Sequence, residues 1–145
     1  MTIAPSQILF LEQGSMRLYV EAIQIVDARQ LCWARPVLLL DGLPTAEDLE
    51  SPSAGRLAEY RQMAIATAAS CPEASELFCY DLTERPDLIW PTELFEIALD
   101  VDFFALLLRV EKHPDSSLQS QIQKQFNNFV RSFWQTHQTT FSTCA

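Results

Sequence analysis

Arg17-Leu18-Tyr19-Val20-Glu21-Ala22-Ile23-Gln24-Ile25-Val26, then Asp27-Ala28-Arg29-Gln30, then Leu31-Cys32-Trp33-Ala34-Arg35-Pro36-Val37-Leu38-Leu39-Leu40 is the run on which the architecture turns. Its first segment is rich in β-branched and aromatic residues. Leu18, Val20 and Ala22 alternate with Arg17, Tyr19 and Glu21, the period of a half-buried strand. After Ala22 the pattern slips by one, to Ile23 and Ile25 with Gln24 between, and a β-bulge near Ala22–Ile23 accounts for the slip. Asp27-Ala28-Arg29 is a short polar break. Leu31 to Leu40 reads as a second strand, with Trp33, Val37 and Leu39 among its apolar residues. Pro36 has no ladder donor, so this strand either lies at an edge there or ends its pairing there. Residues 17–40 are therefore predicted to form an antiparallel hairpin.

Working outward, Asp41 to Gly55 holds two glycines, two prolines, two serines and four acids, the composition of an acidic loop. Residues 56–70 carry Leu57, Tyr60, Ala64, Ile65 and Ala68 near helical spacing, and Cys71-Pro72 is a plausible stop. Residues 76–90 read as two short strands, Glu76 to Leu82 and Leu88 to Trp90, around turn chemistry at Thr83 to Asp87. Pro91-Thr92-Glu93-Leu94 suits a helical turn with proline at its first position. Residues 94–110 are strongly apolar and predict a helix, whole or broken. After the break at His113-Pro114-Asp115, residues 115–137 predict a C-terminal helix whose apolar positions are Leu118, Ile122, Phe126, Phe129, Val130, Phe133 and Trp134.

These elements predict one α+β domain over residues 1–145: a small antiparallel sheet or partial β-barrel with a long amphipathic C-terminal helix packed across it. The length of 145 residues suits a single core. The four cysteines form no Cys-x-x-Cys pair, so reduced thiols are expected, with Cys32 and Cys79 buried in strands. The N-terminus has no positive n-region, and no apolar run reaches the 18 or so residues of a spanning helix. A soluble, cytoplasmic protein without a membrane span is expected.

Charge is sharply segregated. Between Asp41 and Asp102 lie fourteen acidic residues against three arginines, a formal charge of −11, while the whole chain carries −9. That disfavours a nucleic-acid backbone as target, because counterion release needs clustered Lys and Arg. It permits a protein partner of basic character and long-range steering toward it.

Sites of chemistry are sparse. His113 and His137 are the only histidines, and no His/Cys cluster has ligand spacing, so neither a metal nor a cofactor is expected. Glu96, Asp100 and Asp102 gather three carboxylates, and on a helix Glu96 and Asp100 share a face. No Gly-containing calcium loop surrounds them, and a solvated acidic face is the simpler reading. No Gly-x-Ser-x-Gly, Walker A or Gly-x-Gly-x-x-Gly motif occurs, and three glycines leave little room for a phosphate cradle. A non-enzymatic role is expected.

The hairpin segment Arg29 to Pro36 stands out. Arg29, Leu31, Trp33 and Arg35 fall on one face of a strand, and Trp and Arg are enriched at interface hot spots. Arg29, Trp33 and Arg35 are the candidate partner-binding residues, with Trp33 as anchor. The ordinary alternative is a core tryptophan whose flanking arginines pair with the acidic segment. Phe103 to Leu108 and the terminal helix are expected to pack within the core first; any surplus beyond what one small core hides is compatible with an interaction patch or a homodimer.

Arg17-Leu18-Tyr19-Val20-Glu21 leading into Arg29-Gln30-Leu31-Cys32-Trp33-Ala34-Arg35-Pro36, with Leu88-Ile89-Trp90-Pro91 and Ala98-Leu99-Asp100, resembles small uncharacterised conserved proteins of cyanobacteria over about a third of the chain. The resemblance implies a photosynthetic prokaryote and an accessory or assembly role, and it transfers no site residue. The reading is a protein–protein interaction or assembly factor. The alternative is a small-molecule-binding domain with an apolar pocket between sheet and terminal helix, lined by Phe126, Phe129 and Phe133, with Arg35 fixing an acidic group.

Overall fold

Ile8–Gln13 (β1) and Met16–Val26 (β2) form a hairpin closed by the two-residue turn Gly14-Ser15. Gly14 holds φ at +59°, a conformation that costs a residue with a Cβ. A computed structural model describes residues 3–43, 78–82, 85–98, 103, 104, 106 and 116–143. The loop over 41–55 beyond Leu43, the helix over 56–70, Asp100, Asp102 and His113 lie outside the described residues.

The predicted hairpin forms. β2 pairs antiparallel with Leu31–Asp41 (β3) through a 3-10 turn at Asp27–Arg29, and Gln30 takes a left-handed conformation at φ 53°. Its register is interrupted twice. Ala22 faces Ala34 while Gln24 faces Trp33, leaving Ile23 as the extra residue where the sequence pattern slips. Tyr19 faces Leu38 while Val20 faces Pro36, leaving Val37 as a second extra residue. The outer edge of β3 is shared: Phe78–Asp81 (β4) pairs with residues 38–41 and Leu88–Pro91 (β5) with residues 31–34. Pro36 falls in the gap between them, where its missing N–H removes no bond to either strand.

One expectation is corrected. Residues 95–98, predicted as part of the helix over 94–110, are not helical. Thr92–Leu94 is a 3-10 turn, Phe95 is extended at φ −90° and ψ 145°, and Glu96–Ile97 (β6) pairs with β1. The free edge of β1 satisfies this backbone, and Ala98 N–H donates to the Ile8 carbonyl at 3.0 Å. Phe95 enters the core. Phe103, Phe104 and Leu106 are helical.

The product is an open, six-stranded antiparallel sheet, ordered β4-β3-β2-β1-β6 with β5 beside β3. Among the described residues no pairing closes it into a barrel. Ser116–Thr136 (α1) and Gln138–Thr143 (α2) complete an α+β fold.

Both faces of the sheet carry core. On the first, Leu9, Leu11, Leu18, Val20, Ala22, Cys32 and Ala34 meet Ile122, Phe126, Phe129 and Phe133 of α1. Trp90 of β5 stacks on Phe133, with ring centroids 5.2 Å apart and planes 7° from parallel, and Phe141 of α2 meets Trp90 edge-on. Trp134 is 48% exposed. One residue beyond Phe133, it sits about 100° further round the helix and leaves the buried stripe. On the second face Phe10, Tyr19, Leu38 and Leu40 are covered by Leu43, Ala98, Phe103 and Leu106.

Candidate functional site

Strand alternation assigns the second face. With Cys32 and Ala34 of β3 and Leu88 and Trp90 of β5 in the helix-side core, Trp33, Arg35 and Ile89 point the other way. In β2, Val20 and Ala22 are helix-side, so Glu21 joins them. Trp33 stands opposite Ile89 in register, and Arg35 opposite Glu21. These four belong to neither core cluster. The second face is thus divided: one half is dry, and the other is open to solvent.

The open half is organised around Asp87, which precedes β5. Trp33 Nε1–H donates to Asp87 Oδ2 at 2.8 Å, and Arg35 Nε lies 3.5 Å from Asp87 Oδ1. One carboxylate thereby fixes both the indole and the root of the guanidinium. The Arg35 side chain remains 52% exposed, and its Nη nitrogens make no further contact among the described residues. Ile89 is 61% exposed beside it, the most exposed large apolar residue described. Half-buried Trp33, an oriented guanidinium and a protruding isoleucine can recognise a surface that offers an apolar contact next to a carboxylate.

The three candidate residues are only partly brought together. Trp33 and Arg35 share Asp87. Arg29 lies in the 3-10 turn at the hairpin tip and is exposed, so the strand alternation expected to align it with Trp33 does not reach it. Asp87 itself belongs to the acidic segment, so the Arg35 pairing follows the ordinary alternative, while the exposure of Arg35 and Ile89 leaves the face open. Sequence reasoning missed Ile89. Its signal was available: an isoleucine between Leu88 and Trp90 in a short strand points opposite to both.

Other chemistry is dispersed. Phe126, Phe129 and Phe133 are packed in the helix-side core, and Arg35 stands on the opposite face, so the structure does not assemble those four into a pocket. Burial pushes the Cys32 thiol up to about 11, away from the reactive thiolate. The Tyr80 hydroxyl is also raised, first by burial and then by Asp41, against a lowering hydrogen bond with Gln121. Glu96 lies in a strand, so the helical pairing proposed for it with Asp100 does not arise. The His137 ring packs on Phe133 at 4.2 Å. Among the described residues no group of three His, Cys, Asp or Glu side chains is placed to hold a metal.

A second missed residue is Arg17, 1% exposed and the sole charged side chain among the buried residues described. Its guanidinium lies 4.1 Å over the Phe10 ring, donates from Nη1 to Tyr19 Oη at 3.3 Å and pairs with Glu12 at 3.2 Å. Nε and Nη2 lack a well-aligned hydrogen bond. Arg17 sits in the dry half and does not reach the open one.

Comparison of the chain with protein-family models, with curated proteins and with solved structures gives no match. No helix among the described residues is long and apolar enough to cross a membrane.

Proposed function

We propose that the chain is a non-enzymatic interaction or assembly protein of the cytoplasm that docks a protein partner on the open half of the second sheet face. The observation that carries this reading is Ile89, 61% exposed beside Trp33 and Arg35 on the part of the second face that belongs to neither core cluster. Trp33 acts as the anchor, held in place by Asp87, and Arg35 supplies polar recognition. Arg29 at the hairpin tip extends the contact. The amphipathic terminal helix is scaffold in this scheme, backing the sheet from the other side. The −11 charge of residues 41–102 steers a partner of basic character from a distance. An accessory or assembly role agrees with the resemblance to small cyanobacterial proteins.

The test is affinity capture from native lysate with wild type and Trp33→Ala, at low and at high salt. Trp33→Ala, with its fold checked by circular dichroism, should abolish capture of the partner. The wild-type complex should weaken as salt rises. Capture that is unchanged by Trp33→Ala overturns the assignment.

A further inference from the structure

We propose that the partner on this face is a second copy of the chain, docked through a twofold axis that passes beside Ile89. This rests on the reading of the open half as an interaction surface but replaces the basic partner with a second copy; each copy carries −9, so the contact relies on the short-range complementarity of the patch against a long-range repulsion that salt screens.

A twofold contact requires a patch that complements itself, because each residue meets the same surface turned about the axis. The open half has that property. It carries a cation, Arg35, and an acid, Glu21, on neighbouring strands of one face, with exposed Ile89 two strands from Glu21. Within one copy, Glu21 and Arg35 stand opposite each other in register, yet no ion pair joins them among the described residues. Arg35 sets its Nε 3.5 Å from Asp87 Oδ1 instead, and its side chain stays 52% exposed, with no ion pair from its Nη nitrogens among the described residues. A fork of two parallel donors matches a carboxylate. Turned about a twofold axis, Arg35 of each copy meets Glu21 of the other, and the two Ile89 side chains pack together at the centre. Each copy thereby gives one ion pair in each direction and removes its most exposed apolar side chain from water.

The contact uses the face, not the strand edge. Among the described residues β5 pairs only with β3, and no strand lies on its outer edge. However, Pro86 precedes it and Pro91 ends it, and proline offers no N–H to a neighbouring strand. Pairing of a second copy along the β5 edge is therefore disfavoured.

Sedimentation velocity of the purified full-length chain over a concentration series tests this. Wild type should show a monomer–dimer equilibrium. Ile89→Asp should raise the dimer dissociation constant about tenfold or more. Glu21→Arg and Arg35→Glu should each sediment as monomer alone, because each sets like charges across the axis. Mixed in equal amounts they should dimerise. The first variant then brings cations at both positions and the second brings carboxylates at both, so each contact across the axis joins opposite charges. No intramolecular repair explains that rescue. A wild type that stays monomeric at every concentration overturns the inference, as does a dimer that survives Ile89→Asp or a mixture that fails to associate. A monomer that still captures another protein through Trp33 overturns the second copy and leaves the interaction reading standing. Capture that does not depend on Trp33 tells against that reading itself.

Discussion

Two arginines on one face of one sheet live in opposite surroundings. Arg17 and Arg35 both project from the second face, and each has a carboxylate beside it at 3.2 Å and 3.5 Å. The Arg17 side chain is 1% exposed and the Arg35 side chain 52% exposed. Arg17 lies against Phe10 and Tyr19, members of the cluster that Leu43, Phe103 and Leu106 complete; nothing described covers the half with Arg35. Similar distances therefore describe very different interactions. A buried pair has given up its hydration, and its partners depend on each other. An exposed pair shares its charge with water and contributes about 0–1 kcal/mol. The same residue type serves structure in one half of the face and recognition in the other, and the cover decides which.

The sharpest way to break this contrast is Glu12→Gln. It leaves the Arg17 guanidinium buried without a counter-charge, held by Tyr19 Oη, the Phe10 ring and the remaining amide oxygen. The expected loss is about 3 kcal/mol, the lower end for a broken buried pair because Glu12 keeps a little solvent contact. Urea denaturation followed by circular dichroism measures it. Replacing Arg17 by Met in the same background should recover most of that loss, because the uncompensated charge is then gone. If Glu12→Gln costs no more than a surface substitution, the covered half is not dry.

The first face, under α1, supplies a smaller effect of defined pH dependence. Cys32 is fully buried there, and its thiol is raised from 9.0 to about 11. In the unfolded chain the thiol ionises near 9, whereas in the fold it stays protonated until about 11. The folded state therefore binds more protons in that window, and stability is full below pH 9 and falls as pH rises toward 11. The magnitude is about 2 kcal/mol across the window. Cys32→Ala should lose stability at every pH but flatten that particular slope. Chemical denaturation of both proteins at stepped pH reads the difference, and parallel curves would show that Cys32 is not desolvated.

How far the sequence discloses this arrangement depends on whether the deciding contact is local. The bulge at Ile23 is readable because strand alternation slips within a few residues. The alternation that puts Trp33 with Arg35 is equally local. β1 escapes the reading, although Gly14-Ser15 between the apolar run Ile8 to Leu11 and β2 is hairpin chemistry. β6 reads as helix because an apolar run from Phe95 onward has no period of its own; its strand form comes from the edge of β1, more than eighty positions away. Arg17 misleads for a similar reason. Alternating with Leu18 and Val20, it reads as a solvent-side residue, but it shares a face with Phe10 and Tyr19, whose cluster is completed by Ala98, Phe103 and Leu106 from far along the chain. In the candidate site the same limit appears. Trp33 and Arg35 announce themselves, but Asp87, which holds both, is joined to them only by the pairing of β5 with β3.

Asp87→Asn sharpens the contrast from its weak side. The substitution keeps the size of the side chain and an acceptor oxygen for Trp33 Nε1–H, and it removes the charge facing Arg35. In an exposed setting the loss of that pair should cost less than about 1 kcal/mol, against about 3 kcal/mol for the comparable change at Glu12. Its effect on recognition runs differently. Without the carboxylate, Arg35 is free to rotate, and the entropy of holding its fork outward must then be supplied on binding. Stability should therefore barely move, while the strength of association through this face falls severalfold. Denaturation and sedimentation on the same variant separate the two. A large loss of stability would place Asp87 in the structural half of the comparison, and unchanged association would mean that Arg35 needs no help from Asp87 to present its guanidinium.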